Sequence, residues 1–306
     1  MTPPPITLLD GGLGQEIFRR SGKPAHPLWS CHVMMEQPEV VFAVHRDFIA
    51  AGADVLTINS YTATPARLAR DGDVNWFDSI QAKAVELAKQ ARDAAGRTDS
   101  LAIAGCLPPL IGSYSPHMTP DDATCLADFR RIVAAQQDDV DLFLCETMPS
   151  IREAAAALTA ARESGKPVIL GLTLMDDLTG RLRSGEPLAE AIDAFAKTPP
   201  DGLAINCSIP ETVTAAMPQL VKAPCRSGGY ANGFTSVDAL KPGGTVDSLS
   251  ARQDLGPQTY ADIVMGWVES GATIIGGCCE VGPGHIAELD SRLKADGYPR
   301  HRPGIR

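Results

Sequence analysis

The chain has 306 residues, a hydrophobic fraction of 44% and a formal net charge of -10 at pH 7. This acidic balance argues against nucleic-acid or membrane-surface partners, because both require basic patches. No apolar stretch approaches the roughly 18 residues of a membrane span. The first residues show neither the basic nor the apolar region of a secretory signal. We therefore expect a cytoplasmic protein, and a homo-oligomer is left open.

Eight short runs rich in β-forming residues alternate with helix-length segments. Strands are predicted at residues 6–10, 54–58, 101–104, 141–145, 168–172, 202–205, 225–230 and 272–275, with the seventh the weakest. Helices are predicted at residues 38–50, 76–95, from 121 onwards with Thr119 as the N-cap, 151–164, 189–196, 211–221, 259–270 and 285–294.

This alternation predicts an α/β fold, an eight-stranded parallel (β/α)8 TIM barrel. A doubly wound open sheet is the alternative. One domain over residues 1–306 is expected, since barrels of this length form a single domain. Two long loops are predicted, at residues 18–37 and 231–256, the second as a mobile flap.

A barrel of this kind places its functional residues where the strands end at their carboxyl termini. The polar residues there are Asp10, Asn59, Glu146, Asn206, Cys207, Asn232, Cys278 and Cys279.

Three of the eight cysteines follow two predicted strands: Cys207 follows the sixth, and Cys278 and Cys279 follow the eighth. Three thiolates form a soft site that suits zinc and leaves a fourth position for water or substrate. Adjacent cysteines reach one ion only if the strand ends there, which we attribute to the conformational freedom of Gly276 and Gly277. Buried core packing and a redox or vicinal-disulfide role remain alternatives.

Two carboxylates end apolar strands, Asp10 the first and Glu146 the fourth. A helix cap or a surface ion pair is one interpretation. The functional one is capture of a substrate ammonium group, with main-chain N–H groups after Asp10 approaching a substrate carboxylate. Among the histidines, His45 is expected to pack on a helix face. No Gly-rich nucleotide-binding fingerprint or phosphate-binding loop is present, which lowers the case for nucleotide-dependent chemistry.

Ordered motifs over nearly the whole chain resemble the homocysteine S-methyltransferases. These motifs are Leu8 to Gly12 with Gly14 and Glu16, Leu28 to Ser30, Ala51 to Asp54, Asn59 to Thr64, Glu146-Thr147 with Pro149, Asn206 to Ser208, Tyr230 with Asn232-Gly233, and Gly271-Ala272 leading into Ile275 to Cys279, with Pro283 and Ile286 beyond.

The resemblance implies methyl transfer from a small donor to zinc-bound homocysteine, giving methionine. It implies Zn²⁺ on Cys207, Cys278 and Cys279, and homocysteine on Asp10, Gly11 and Glu146. Asn59, Tyr61 and Trp29 are expected to line the substrate site, the two aromatic rings holding a cationic donor. The segments Trp29-Ser30 and Ser60 to Thr64 are most similar to those of the branch that uses S-methylmethionine or S-adenosylmethionine.

Two segments depart from the family pattern, Glu280-Val281 and Phe234 to Ser236, and both are expected near the donor. Three other functions stay open. One is methylation of another thiol or selenol such as selenocysteine. Another is a metal-free barrel lyase or aldolase, although no strand end offers its lysine. The third is a non-catalytic zinc-binding or redox-sensing protein.

Overall fold

The structure, a computed structural model, describes residues 3–304. Its eight strands form one sheet of parallel neighbours in the order β1-β8-β7-β6-β5-β4-β3-β2. They are β1 Thr7–Leu8, β2 Val55–Thr57, β3 Ala102–Leu107, β4 Leu142–Met148, β5 Val168–Leu172, β6 Gly202–Asn206, β7 Arg226–Tyr230 and β8 Ile274–Ile275.

The two ends of this sheet meet. Leu9 forms a parallel bridge with Val55, and the Asp10 N–H donates to the Val55 carbonyl at 3.1 Å. The predicted (β/α)8 barrel is therefore confirmed, and the open sheet is excluded.

The helices surround the barrel, with three after β1, two after β2 and one after each later strand. They are α1 Leu13–Ser21, α2 Trp29–Glu36, α3 Pro38–Ala50, α4 Pro65–Asp71, α5 Phe77–Ala94, α6 Asp122–Gln136, α7 Ile151–Glu163, α8 Leu188–Ala196, α9 Pro210–Leu220, α10 Pro257–Glu269 and α11 Pro283–Ala295. Short 3-10 turns lie at Val74–Trp76, Pro116–Met118 and Val246–Ser248.

Two predictions about these connections were wrong. The expected loop at residues 18–37 contains the end of α1 and all of α2, a helix without a side-chain N-cap. The N-cap of α6 is Asp121, whose carboxylate accepts from the Thr124 N–H at 3.0 Å. Thr119 instead donates its hydroxyl to Glu153 at 2.7 Å. Asp121 is the N-cap because it directly precedes the helix, where its side chain reaches the free N–H groups of the first turn.

Apolar side chains form two layers. A small cluster, which includes Leu9, Leu144 and Ile274, contains no helix residue and fills the barrel interior. A larger cluster packs the outer faces of the strands against the helices. His45 belongs to that outer layer as predicted: it is fully buried, and burial lowers its pKa to about 4. Within residues 3–304, no helix is both long and apolar enough to cross a membrane.

Candidate metal centre and active site

Three cysteines lie together at the carboxyl end of the barrel. The Sγ atoms of Cys207, Cys278 and Cys279 are all within 4.8 Å of one another. The Cys207 and Cys278 sulfurs are 3.2 Å apart, well beyond the roughly 2.05 Å of a disulfide bond. Cys207 is buried and the other two are half-buried. The structure thus brings the three predicted metal ligands to one point.

Cys207 is aimed at this point by an unusual backbone. It directly follows β6 and has a φ of 53°, in the left-handed region that non-glycine residues rarely adopt. Its carbonyl accepts the Thr173 hydroxyl at 3.2 Å. Such a conformation costs on the order of 1–3 kcal/mol and persists where surrounding contacts impose it. The backbone turns at the residue that carries the sulfur.

Cys278 and Cys279 lie in a tight turn and not in the strand. β8 ends at Ile275, and the Val281 N–H donates to the Cys278 carbonyl at 3.0 Å. The strand therefore ends before the pair, as predicted.

The prediction that Gly276 and Gly277 provide conformational freedom was wrong, because neither residue has a positive φ. A Cβ on Gly276 would lie 2.7 Å from Leu9 Cβ, and one on Gly277 would lie 2.1 Å from Val281 Cγ1. Close packing, rather than backbone freedom, requires glycine at both positions.

Glu146 projects from an irregularity in β4. The register of β4 against β5 shifts between Cys145 and Met148, and Thr147 has a φ of 62°. Asn206, which immediately precedes Cys207, stabilises this bulge. Its side-chain oxygen accepts the Thr147 N–H at 2.8 Å, and its side-chain NH₂ donates to the Thr147 hydroxyl at 2.9 Å. One amide therefore fixes the backbone beside both the carboxylate and the first cysteine.

Of the two predicted carboxylates, Asp10 is buried and Glu146 is half-buried. Asp10 accepts from the Thr57 N–H at 2.8 Å and from the Thr57 hydroxyl at 3.0 Å. Glu146 accepts from the Cys106 thiol at 3.1 Å. Burial outweighs these hydrogen bonds and raises the pKa of Asp10 to about 7 and that of Glu146 to about 8. Neither group has a cationic partner among residues 3–304, so the pair offers negative charge to a ligand.

The backbone after Asp10 approaches the cysteine turn closely. A Cβ on Gly12 would lie 2.5 Å from the Cys278 carbonyl oxygen, so this contact requires glycine. The Gly12 N–H is already bonded to the Val281 carbonyl at 2.8 Å. The Gly11 N–H has no hydrogen-bond acceptor within residues 3–304 and lies just before α1. Of these two glycines, Gly11 is therefore the one that leaves its main-chain N–H for a ligand.

Two aromatic rings form the outer wall. Trp29 and Tyr61 meet edge to face with centroids 6.5 Å apart. Asn59 lies behind them and is buried. Its side-chain oxygen accepts the Ser30 hydroxyl at 2.6 Å, and its side-chain NH₂ donates to the Ser30 carbonyl at 3.0 Å. The Asn59 amide is thus engaged in holding α2 against β2.

Three further residues of the site were not singled out from the sequence. Thr57 and Cys106 bind the two carboxylates, and the Tyr114 hydroxyl lies 2.9 Å from the Cys207 sulfur. Thr57 and Cys106 stand at the ends of β2 and β3, so a search of all strand ends would have found them. Tyr114 lies in the long connection after β3, where no sequence pattern marks it.

The two departures from the family pattern lie in different places relative to the cavity. Glu280 forms an ion pair with Arg19 of α1 at 2.9 Å, and Val281 is buried in packing around Gly11. Neither side chain lines the cavity, whereas Phe234 does. Glu280 and Val281 thus lie outside the cavity, and their position relative to the donor stays a prediction.

All nine predicted site residues line one cavity that is open to solvent. They are Asp10, Gly11, Trp29, Asn59, Tyr61, Glu146, Cys207, Cys278 and Cys279. Residues 240–246 and Leu249, from the loop after β7, form its other side.

The three sulfurs fit a soft divalent metal. Thiolates are preferred zinc ligands, and three protein ligands with a fourth position free are typical of a catalytic zinc site. Within residues 3–304, no other group of three or more Cys, His, Asp or Glu side chains comes this close. If a metal binds this part of the chain through such side chains, the cysteines are its site.

Comparison with known proteins gives a consistent result. The family model described as homocysteine S-methyltransferase matches residues 7–293. The homocysteine S-methyltransferase of Escherichia coli K12 is 31% identical, with 94% of this chain and 95% of the relative covered. A selenocysteine Se-methyltransferase of Brassica oleracea var. italica is 26% identical, covering 94% of this chain and 88% of the relative.

Among solved structures, the metallated form of the homocysteine methyltransferase MmuM from Escherichia coli superposes with a TM-score of 0.77. It is 31% identical, with 94% of this chain and 96% of that chain covered. This relative is described as metallated, and this chain has three cysteines placed closely enough to hold a metal ion. The chain therefore belongs to the homocysteine S-methyltransferase family and is an enzyme that transfers methyl groups between small molecules.

Proposed function

We propose that this enzyme depends on zinc and transfers a methyl group from a small onium donor to the thiol of L-homocysteine, giving methionine. S-Methylmethionine, S-adenosylmethionine and a betaine are the donors considered. The observation that carries the proposal is one cavity in which the three cysteine sulfurs lie with two carboxyl groups, the buried Asp10 and the half-buried Glu146, that have no cationic partner among residues 3–304. Homocysteine carries the matching groups, a soft thiol and an ammonium.

Cys207, Cys278 and Cys279 would hold the zinc. When bound there, zinc lowers the pKa of a substrate thiol, so that a nucleophilic sulfur is available at neutral pH. The Tyr114 hydroxyl, 2.9 Å from the Cys207 sulfur, provides a hydrogen bond to that ligand.

The amino-acid end of homocysteine is assigned to the floor of the cavity. Asp10 and Glu146 face it without cationic partners among residues 3–304. Burial favours their protonated forms, and the positive charge of a substrate ammonium group would favour the ionised carboxylates. The free Gly11 N–H, next to the N-terminal end of α1, suits the substrate carboxylate. These contacts fix the direction in which the thiol points.

The donor is assigned to the aromatic wall. The faces of Trp29 and Tyr61 attract a sulfonium or quaternary ammonium ion through cation–π interaction. Holding the donor in line with the acceptor sulfur removes much of the entropic cost of a two-substrate reaction.

Metal analysis combined with a donor panel tests the proposal. Purified protein is expected to hold about one zinc ion per chain. It should form methionine from homocysteine with at least one of S-methylmethionine, S-adenosylmethionine, betaine and dimethylsulfoniopropionate. Cys207→Ala should lose both the zinc and the activity. Cys225→Ala is the matched control, because this half-buried cysteine lies outside the cavity and should keep both.

Other outcomes separate the alternatives. Full activity in zinc-free protein contradicts a role for zinc. Bound zinc with no methionine from any donor points to another acceptor thiol or selenol. Because one relative is named a selenocysteine Se-methyltransferase, selenocysteine is assayed beside homocysteine, and a higher kcat/KM for it would reassign the acceptor.

A further inference from the structure

A buried arginine lines the cavity without a carboxylate partner. Arg67 is 7% exposed, and its Nη2 donates to the Pro109 carbonyl at 2.9 Å and approaches the Ser113 hydroxyl at 3.5 Å. Its Nε is enclosed and has no hydrogen-bond partner within residues 3–304. A buried charge without a counter-ion is costly, and proteins keep one where a ligand completes it.

The neighbouring carboxylates are already engaged. Glu153 accepts from the Leu110 N–H at 2.9 Å and from the Thr119 hydroxyl at 2.7 Å. Asp71 pairs with Arg70 at 2.7 Å. Within residues 3–304, Arg67 forms no ion pair with either of them or with any other carboxylate. Its positive charge therefore stays available to the cavity.

Arg67 is linked to the metal centre along one wall. Its guanidinium lies over the Tyr61 ring, 5.3 Å from the centroid. The Tyr61 hydroxyl is 2.9 Å from the Ser113 hydroxyl, and the next residue, Tyr114, reaches the Cys207 sulfur. A molecule lying along this wall would meet an aromatic ring between the cation and the sulfurs.

The loop after β7 covers the arginine end of this wall. A Cβ on Gly112 would lie 2.9 Å from Pro242 Cγ, and one on Gly243 would lie 3.6 Å from Arg70 Nε. Lys241, from the same loop, also lines the cavity but is exposed. Arg67 is thus the enclosed cation, where an interaction with an anion is strongest.

We propose that Arg67 binds the carboxylate of the methyl donor, so that the enzyme selects zwitterionic donors, with an onium group at one end and a carboxylate at the other. This inference rests on the proposed function. A planar guanidinium suits a carboxylate because it offers parallel N–H donors. With the carboxylate on Arg67, the onium group lies toward Tyr61 and the cysteines.

The reaction itself is a simple displacement. The homocysteine thiol releases its proton to solvent, and its sulfur forms a bond to the donor methyl carbon. The bond from that carbon to the donor sulfur breaks, and its electron pair stays on that sulfur, so that the sulfonium becomes a neutral thioether while the donor carboxylate keeps its negative charge. No oxidant or reductant is needed.

Matched donors test the role of Arg67. S-Methylmethionine and dimethylsulfoniopropionate are each compared with their primary amides, which keep the sulfonium and the shape but lose the negative charge. In the wild type, kcat/KM for each acid should exceed that for its amide by about tenfold to a hundredfold, the range of a hydrogen bond to a charged group. Arg67→Gln should lower kcat/KM for the acids by the same factor and leave the amides unchanged.

Two controls protect this comparison. Arg67→Lys keeps the positive charge but loses the planar guanidinium. Its ratio of kcat/KM for the acid to kcat/KM for the amide should fall between the ratios of the wild type and Arg67→Gln. This variant decides the test if Arg67→Gln does not fold. Arg131→Gln removes an arginine whose guanidinium lies 4.3 Å from the centroid of the Phe77 ring, away from the cavity. It should leave the acid-to-amide ratio of kcat/KM at the wild-type value for both donors. The zinc content and the KM for homocysteine should stay at wild-type values in every variant.

A binding measurement separates this inference from the proposed function. Calorimetry without homocysteine should show wild-type protein binding dimethylsulfoniopropionate more tightly than its amide, and Arg67→Gln binding both equally. Methionine formed equally well from acids and amides would overturn the role of Arg67 while the proposed function stands. No methionine from any donor would overturn the proposed function, and calorimetry then decides whether Arg67 binds carboxylates.

Discussion

Asp10 and Glu146 keep part of their protons near neutral pH, because burial raises their pKa values to about 7 and about 8. A substrate ammonium group favours the ionised forms, so binding must release these protons. The affinity for an amino acid should therefore rise as the pH rises through this range and fall as it drops below about 7. This dependence follows from two residues alone.

Methionine is a suitable probe of this effect, since it carries the ammonium and carboxylate groups without a thiol to ionise. Its dissociation constant, measured by calorimetry, should fall between about pH 6 and about pH 8.5. Calorimetry in buffers of different ionisation enthalpy should show proton release. An affinity that does not change over this range would contradict the assignment of the carboxylates.

The same shift has a consequence for stability. The folded carboxyls hold protons up to about pH 7 to 8, whereas unfolded Asp and Glu lose theirs near the model values of 3.8 and 4.5. The free energy of unfolding of metal-free protein should therefore decrease as the pH rises between these limits. Glu146→Gln should flatten this slope and weaken methionine binding by about tenfold to a hundredfold.

At the scale of elements, Asn206 couples two strands of the barrel. Its side chain binds Thr147 in the β4 bulge beside Glu146, and its own backbone leads into Cys207. Asn206→Ala would leave the buried Thr147 N–H without its acceptor and release both left-handed residues. Zinc affinity should fall by about tenfold to a hundredfold, as is typical when a residue supporting a metal ligand is lost.

Metal titration with a competing chelator measures this change. Methionine binding should weaken in parallel, since Glu146 moves with the bulge. Asn75→Ala, in an exposed 3-10 turn away from the cavity, should alter neither quantity. Wild-type zinc affinity in Asn206→Ala would show that the bulge and the cysteine are positioned independently.

The elements show which features the sequence could predict. Strands and most helices follow from alternating apolar runs and helical spacing, and α3 has the predicted bounds of residues 38–50. The cysteines were placed together because strand ends converge in a barrel. α2 was missed because it lacks a capping side chain and buries Ser30, Cys31, Val33 and Met34 without a clear polar face.

Other features depend on contacts that no local pattern encodes. Tyr114 reaches the cavity from the connection after β3 and Arg67 from the short helix α4, and contacts with distant segments set the positions of both. The need for glycine at position 276 comes from Leu9, which only the folded barrel brings near. Long-range packing of this kind becomes visible only in three dimensions.

At the scale of the whole molecule, the end of the barrel opposite the cysteines is closed by buried charge. Asp54 is 1% exposed, accepts the Leu8 N–H at 3.1 Å and pairs with Arg300 at 2.8 Å. Arg300 also bridges to Asp290 of α11. The C-terminal segment thereby joins β1 and β2 where the sheet closes.

Arg300→Leu should leave Asp54 as a buried charge without its main partner and lower the free energy of unfolding by about 3–5 kcal/mol. Chemical denaturation measures this loss. Arg130→Leu removes an exposed ion pair with Glu163 and should cost no more than about 1 kcal/mol. Equal losses in the two variants would show that Asp54 and Arg300 do not hold the barrel closed. Methionine binding by the folded protein should persist in both.

The function of the whole molecule depends on one claim: that a donor methyl group moves intact to the sulfur of homocysteine in the three-cysteine cavity. The most direct measurement is mass spectrometry of the methionine formed when zinc-loaded protein is given homocysteine and dimethylsulfoniopropionate with deuterated methyl groups, because the demethylated donor is then not itself methionine. We expect methionine that keeps the intact deuterated methyl group, and none from Cys207→Ala. Unlabelled methionine, or no methionine from any labelled donor, would contradict the account.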